Sequence, residues 1–378
     1  MKRMILIFLL LALLPLRSLA LEPEGRSALL MEVSTGTVLF EKNADEPLAP
    51  ASVTKVMTML LIMEAIDSGV ISWEDTVTAS ETAAAKGGSQ VYLKAGETMS
   101  VRDMLKSIAV SSANDCACAM AEHLAGSEEA FVERMNSRAK ELGMENTHFV
   151  NCTGLDDSPE AANHRTTARD IAIMSRELLG KHPAIKDFTT IWMDTIRNGA
   201  FGLSNTNKLV RFYPGATGLK TGFTSSAMYC LSASAQREGM ELVAVVLGAP
   251  TSGVRFSDCK AMLDYGFAGW TVFTPALPRA VEVPVRLGSR DRVPGVLEGQ
   301  PLLVEKAHKN DISTELLLEP ELPAPVDRGA RIGTLRVLQG EELVAEIPVA
   351  AGETVEKVTW GQLFERLLRY SIMVREAE

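Results

Sequence analysis

The pattern of apolar and polar positions divides the chain into four stretches. Lys2 and Arg3 precede an apolar run over residues 4–16, and Arg17-Ser18-Leu19-Ala20 follows it. A basic start, a short apolar run and small residues at its end predict an export signal cut after Ala20. The run is short for a membrane span and is interrupted by Pro15 and Arg17, which argues against an uncleaved anchor. The expected location is extracytoplasmic, at the cell wall or membrane. Beyond it, residues 28–33 and 37–40 are β-rich and joined by Ser34-Thr35-Gly36, a hairpin signal. Residues 52–66 are apolar almost all round, with Val53, Val56, Met57, Leu60, Leu61 and Met63, which predicts a buried helix ending at Gly69. Ser100 as N-cap with Asp103 in the first turn predicts a second helix. A third follows Asn114-Asp115 and ends near Gly126, with further helical stretches over 128–143 and 167–179. Strands return at 229–235 and 242–247, flanking Gln236-Arg237-Glu238-Gly239. With helices between the first and last strands, the order predicts an α/β (α+β) domain. Its antiparallel sheet is assembled from both ends and carries a packed helical block.

After Phe273 the chain becomes rich in Val, Leu, Pro and Gly, with alternating runs at 280–285, 314–318, 333–338 and 342–349. This predicts a small all-β domain. From Trp360 onward, Leu363, Phe364, Leu367 and Leu368, with Tyr370, Ile372 and Val374 nearby, oppose Gln362, Glu365, Arg366 and Arg369. That is an amphipathic helix of period near 3.6. It can lie on a membrane surface, or pack on its own domain or a second copy. Its basic residues are matched by Glu365, Glu376 and Glu378, so attraction to anionic lipid is expected to be weak; the membrane reading is placed ahead. The expected divisions are a signal over 1–20, a catalytic domain over 21–273, a β-rich domain over 274–358 and a tail helix over 359–378.

Composition narrows the function classes. With 46% apolar residues the chain is neither disordered nor short of core, and its net charge of −10 disfavours a nucleic-acid partner. The absence of a second long apolar run excludes a polytopic membrane protein. The five cysteines, Cys116, Cys118, Cys152, Cys230 and Cys259, show no framework spacing and read mostly as small buried hydrophobes. The histidines are not paired at ligand spacing and no His-Glu-x-x-His occurs, so neither a metal nor another cofactor is expected.

Three short motifs can carry chemistry. In Ser52-Val53-Thr54-Lys55, at a helix start, the serine and lysine share a face. The serine can act as nucleophile if the lysine is neutral. Burial and a second cation would push the lysine's pKa down. Two more Ser-x-x-Lys strings, Ser137 to Lys140 and Ser257 to Lys260, have more polar flanks and no evident helix start before them. Ser112-Ala113-Asn114 sits between two helical segments, where a hydroxyl can relay a proton and an amide can hold a lysine and a substrate amide together. It also suits a plain capping turn. Lys220-Thr221-Gly222 leads into a strand: the cation and hydroxyl can bind a carboxylate, and Gly222 lets an extended peptide approach closely.

The three motifs occur in the order found in class A β-lactamases and penicillin-binding proteins, with Ser-Ala-Asn where the middle motif is often Ser-Asp-Asn. The wider pattern includes Pro50-Ala51-Ser52-Val53-Thr54-Lys55, Asn151-Cys152-Thr153-Gly154-Leu155, Thr167-Ala168-Arg169-Asp170 and Gly218-Leu219-Lys220-Thr221-Gly222-Phe223-Thr224. With these, almost the whole chain resembles the D-alanyl-D-alanine carboxypeptidases, the low-molecular-mass penicillin-binding proteins of peptidase family S11. The resemblance implies a serine β-lactamase/transpeptidase-like fold followed by the β domain as a stalk and the tail as a membrane-lying helix. It implies that Ser52 attacks the bond between the last two D-alanines of a peptidoglycan stem peptide, with Lys55 as proton acceptor. The backbone N–H groups of Ser52 and Phe223 would form an oxyanion hole. Ser112 and Lys220 would pass a proton to the leaving amine, Asn114 would hold the substrate amide and orient Lys55, and Lys220 and Thr221 would grip the terminal carboxylate. It further implies penicillin binding through an acyl-enzyme and roles in cell wall biogenesis and cell shape.

Rival readings are a serine β-lactamase, an endopeptidase acting on cross-linked peptide, a metal-dependent carboxypeptidase and a non-enzymatic wall-binding scaffold. A class A β-lactamase needs an acidic deacylation base between the second and third motifs. Glu319-Pro320-Glu321 lies after Lys220, and only Asp156-Asp157-Ser158-Pro159-Glu160 falls in the interval.

Overall fold

The computed structural model describes residues 21–277, 280–297, 299 and 301–375; the expected export signal lies outside the described residues. The chain divides after Phe267 into two compact units.

In the first unit, β1 (Ser27–Glu32) and β2 (Val38–Lys42) form the expected hairpin. The late strands β3 (Ala216–Thr224), β4 (Met228–Arg237) and β5 (Met240–Ala249) complete an antiparallel sheet in the order β2-β1-β5-β4-β3. Its centre is the pairing of the first strand with the last, Leu30 opposite Ala244. Both faces of β1 are buried, so the sheet carries a layer on each side.

On one side lies the helical block. Helix α1 (Lys55–Asp67) has Val56, Met57, Met59, Leu60, Ile62 and Met63 all buried, as an all-round apolar sequence requires. It is surrounded by α2 (Val101–Ser111), α3 (Asn114–Ala125), α4 (Glu128–Glu141) and α5 (Ala168–Lys181), and α5 also packs on β1 and β5. Each buried Leu, Ile or Met here contributes roughly 1.5–3 kcal/mol relative to exposure. Side-chain caps fix the helix starts: Ser100 accepts from Asp103 N at 3.1 Å, Ser127 from Ala130 N at 3.2 Å and Thr167 from Asp170 N at 3.0 Å.

On the other side lies α6 (Ser252–Gly269), a helix the sequence pattern did not reveal. Its buried face runs through Arg255, Asp258, Cys259, Met262, Leu263, Gly266 and Phe267, a regular helical spacing. Two of those positions are charged and one is a glycine lying over Leu242 and Leu30, so the stripe does not read as apolar. The buried charges are engaged: Asp258 accepts from Gly25 N at 2.9 Å, and Arg255 reaches toward β3. Ser257 and Lys260 are exposed on this helix, as Ser137 and Lys140 are on α4. Both strings therefore lie inside helices, the first within the helical stretch expected over 128–143 and the second in the unforeseen α6, and both face solvent.

The second unit is β-rich. Strand β6 (Trp270–Phe273) pairs with β9 (Leu302–Glu305), so residues 268–273 belong with this unit and not with the first as expected. Strands β7 (Glu282–Arg286), β8 (Arg292–Leu297), β10 (Ile312–Leu318), β11 (Leu322–Pro323), β12 (Arg331–Gln339) and β13 (Glu342–Ala351) form one sheet, ordered β10-β12-β13-β8-β7-β11. Val283, Val293, Ile332, Leu335, Val337 and Val349 form its core. Helix α7 (Trp360–Arg375) is held near its start by Arg366, which donates to Ser289 O at 2.8 Å and pairs with Asp291 at 3.0 Å. Trp360, Phe364, Leu367 and Leu368 of α7 are exposed; side chains from 369 onward lie outside the described residues. No described helix is long and apolar enough to cross a membrane.

All five cysteines are buried and free. Protein unfolded without reductant should therefore titrate five thiols with a chromogenic disulfide; a count of three would mean that one pair is bridged.

Candidate active site

The first motif sits where the chain turns into α1. Residues Ala51–Thr54 form a single 3₁₀ turn, and Lys55 opens the α-helix. Ala51 holds a left-handed conformation, φ 47°, which costs an alanine on the order of 1–3 kcal/mol unless its surroundings fix it. They do. Thr54 Oγ1 donates to Ala51 O at 2.8 Å and is itself 2.8 Å from His164 Nε2. Because Val150 N donates to His164 Nδ1 at 3.1 Å, the ring proton sits on Nε2 and donates to Thr54. Burial, then His148, push His164 down to about 4, so it stays neutral at working pH. Gly154 closes the other side: with φ 81°, a Cβ there would lie 1.9 Å from Ala51 O.

This turn aims Ser52, half-buried, toward Lys55, whose Nζ donates to Ser52 Oγ at 3.0 Å. The lysine is fully buried, and its second partner is the carbonyl of Thr153 at 2.8 Å. Burial lowers its pKa to about 7, against the opposing pull of Cys152 and Asp115. Near neutrality a large fraction is the free amine, able to accept a proton.

The second motif joins α2 to α3. Ser112 is left-handed, φ 63°, and caps the end of α2; Asn114 opens α3. Asn114 Nδ2 donates to Gly87 O at 2.7 Å, while its buried Oδ1 has no hydrogen-bond partner and remains an open acceptor. The expected bond from Asn114 to Lys55 is not formed. Lys55 donates instead to Thr153 O, and Asn114 Oδ1 is left without a partner. Among the described residues no hydrogen bond joins Ser112 Oγ to Lys55 or Lys220. Asn114 is nevertheless beside the 153–155 loop: a Cβ at Gly88 would meet Asn114 Nδ2 at 2.8 Å and Leu155 at 3.2 Å. The buried Asp115 pins the covering segment by accepting from Leu93 N at 3.0 Å and Val91 N at 3.1 Å.

The third motif lies on β3, the end strand of the sheet. Gly222 passes so close to the first motif that a Cβ would sit 2.7 Å from Pro50 O and 3.1 Å from Ser52 N. Lys220 is buried and donates to Thr221 O at 2.9 Å. Burial, then Lys55 and Arg255, push its pKa well below the ordinary lysine value. The repulsion between the two lysines disfavours the doubly charged state. It acts on Lys220, while burial is what lowers Lys55. Thr221 Oγ1 donates to Thr206 Oγ1 at 2.7 Å. Phe223 is exposed and its ring lies 4.4 Å from that of Tyr229. Arg255 of α6 donates to Gly222 O at 2.9 Å and Cys230 O at 3.3 Å, and its buried Nε has no partner.

A serine against a neutral-prone buried lysine, under an edge strand with further buried basic side chains, is an arrangement able to activate a hydroxyl as a nucleophile. Comparison with known proteins agrees. Residues 17–251 match the profile of the Peptidase_S11 family, D-alanyl-D-alanine carboxypeptidase. Residues 278–357 match that of the penicillin-binding protein 5 C-terminal domain. The chain is similar to D-alanyl-D-alanine carboxypeptidase DacF of Bacillus subtilis, with 43% identity over 93% of this chain and 91% of that one. It is 35% identical to DacC of Escherichia coli over 93% and 88%. Among solved structures, penicillin binding protein 5 from Haemophilus influenzae superposes with a TM-score of 0.75 at 29% identity, covering 89% of this chain and 98% of that one. The chain belongs to the D-alanyl-D-alanine carboxypeptidase family of serine hydrolases.

Gly154→Ala should destabilise the protein by more than about 2 kcal/mol in urea unfolding, because backbone strain and a clash with Ala51 O combine. Gly143→Ala, at φ 74° with nothing near its Cβ, isolates the strain alone and should cost about 1 kcal/mol. Equal losses would mean that the contact with Ala51 is not tight.

Proposed function

We propose that this protein removes the terminal D-alanine from peptidoglycan stem peptides through an acyl-enzyme on Ser52. The observation that carries this reading is the fully buried Lys55 amine, 3.0 Å from Ser52 Oγ and lowered to about 7. The substrate lies as an added strand along the outer edge of β3. Lys220 and Thr221 bind its terminal carboxylate, and the open Oδ1 of Asn114 accepts from a substrate amide. Lys55 takes the Ser52 proton as Oγ attacks the penultimate D-alanine carbonyl. The N–H groups of Ser52 and Phe223 receive the developing oxyanion. The C–N bond then breaks, and a proton passed by way of Ser112 and Lys220 goes to the leaving amine, releasing D-alanine. Water, deprotonated by the same machinery, cleaves the ester and returns Ser52 and the shortened peptide.

β-Lactams present the same carbonyl and carboxylate, so they acylate Ser52 and leave slowly. Asp156, Asp157 and Glu160 are all exposed, and Asp156 is engaged by Ser226 at 2.7 Å, which disfavours a β-lactamase-like deacylation base there. The reading places the enzyme outside the cytoplasm in cell wall biogenesis and maintenance of cell shape, and an endopeptidase action on the same bond type is the alternative. The exposed face of α7, with Trp360, Phe364, Leu367 and Leu368, rests on the membrane surface that carries the substrate.

Fluorescent penicillin should label the protein covalently, and Ser52→Ala should abolish labelling while leaving the unfolding midpoint nearly unchanged; labelling that survives would remove Ser52 as nucleophile. Because the neutral lysine is the reactive form, the acylation rate should rise about tenfold per pH unit below about 7 and level off above it. A rate still climbing to pH 10 would mean an ordinary lysine. Phe364→Asp with Leu367→Asp should release the protein from sedimenting phospholipid vesicles without altering penicillin labelling; unchanged sedimentation would exclude α7 as the contact.

A further inference from the structure

The carbonyl that holds Lys55 does not hold itself. Thr153 O belongs to the loop 151–154, which is fixed at several points. Asn151 Oδ1 accepts from Thr153 N at 3.1 Å and Gly154 N at 2.6 Å. Thr58, three residues after Lys55 on the same face of α1, donates to Cys152 O at 2.7 Å. Consecutive carbonyls of the loop are therefore gripped by Lys55 and Thr58. The remaining anchor comes from outside the three motifs. Glu128, in the first turn of α4, accepts from Cys152 N at 3.2 Å through Oε1. Its Oε2 is paired with Lys86 Nζ at 2.5 Å. Both acid and base are mostly shielded from solvent, with side-chain exposures of 13% and 22%. The groups facing Glu128 are Lys86, Cys152 at 3.2 Å and Cys118 at 3.8 Å, with Glu122 beyond Cys118. Burial alone would raise the Glu128 pKa, but the Lys86 contact and the Cys152 hydrogen bonds outweigh it, so the carboxyl stays ionised.

We propose that Glu128, braced by Lys86, is a positioning residue for the reaction: by fixing the Cys152 peptide it aims the Thr153 carbonyl at the Lys55 amine. The inference rests on the reading of Lys55 as proton acceptor. An ionised carboxylate inside the helical block is costly to keep unless it performs a task that an apolar side chain cannot. Here the task is to satisfy a buried N–H whose orientation sets the direction of the next carbonyl. Losing that anchor lets the carbonyl tilt away. The Lys55 ammonium then loses an acceptor, which lowers its pKa further, and the amine loses its alignment to Ser52 Oγ. Burial, then the charges of Cys152 and Asp115, set the Lys55 protonation; Glu128 acts on it only by way of Cys152, whose thiol it contacts at 3.2 Å.

The test is the second-order rate of acylation by fluorescent penicillin from pH 5 to pH 9, for the parent protein, Glu128→Ala and Glu128→Gln. Glutamine keeps an acceptor for Cys152 N and removes the charge. The expected result for Glu128→Ala is a plateau on the order of 10- to 100-fold lower, as for an angstrom of misplacement at a reacting group. Its acid limb should move to lower pH. Glu128→Gln should stay within about threefold of the parent with the limb in place. A change in the amount of folded protein scales the whole profile and cannot move the limb. The proposal is overturned if the limb of Glu128→Ala does not move, whatever the plateau, or if Glu128→Gln falls as far as Glu128→Ala. If the parent itself shows no labelling at Ser52, the proposed function fails instead, so the two failures are distinguishable.

Discussion

The structure turns on one uncomfortable placement, an amine sealed inside the first turn of an apolar helix. A lysine fully removed from water cannot keep its charge cheaply. A fall from the ordinary value near 10.5 to about 7 corresponds to roughly 5 kcal/mol of disfavoured charging. The sign of the linkage follows. Between these pH values the unfolded chain binds a proton that the folded chain has lost, so this group makes the fold more stable as pH rises from about 7 toward 10.5. Below about 7 both states are protonated and the burial penalty is carried in full.

What makes the placement useful is the rigidity around it. A single 3₁₀ turn, a left-handed alanine, a neutral histidine and a glycine with no room for a Cβ hold Ser52 against that amine. The edge strand β3 passes so close that Gly222 touches the same turn. Ser52, Lys55 and the edge of β3 are thereby locked into one unit. The Lys220 ammonium, disfavoured by burial and then by Lys55 and Arg255, adds a second amine whose charge state depends in part on the first. A bound carboxylate would favour charge on Lys220, so substrate and proton distribution are coupled by simple electrostatics.

Much of this was legible from residue pattern. The hairpin, the buried helix, the capped start at Ser100, the opening of α3 at Asn114 and the assembly of the sheet from both ends follow from periodicity and capping chemistry. The motifs singled out Lys55, which donates to Ser52 Oγ at 3.0 Å, and Gly222, which passes against the Ser52 turn. Other parts left no such trace. Helix α6 hides because its buried stripe contains Arg255, Asp258 and Gly266, whose partners are backbone groups and a close sheet contact. The grip on Lys55 by Thr153 is a main-chain contact, so no side-chain identity announces it, and Asn114 was expected there instead. Ala51 carries no hint of its left-handed backbone, since that conformation is imposed by Thr54, His164 and Gly154 from three separate places in the chain. Glu128 looks like an ordinary acidic first-turn residue until Cys152 is folded against it.

The most direct measurement is the titration of Lys55 itself in the folded, ligand-free protein. It would follow the ε-carbon resonance of isotope-labelled lysine by NMR, with Lys55→Arg for assignment. The account predicts one lysine titrating at about 7 and assigned to Lys55. A Lys55 resonance that stays charged until pH 10 would contradict it.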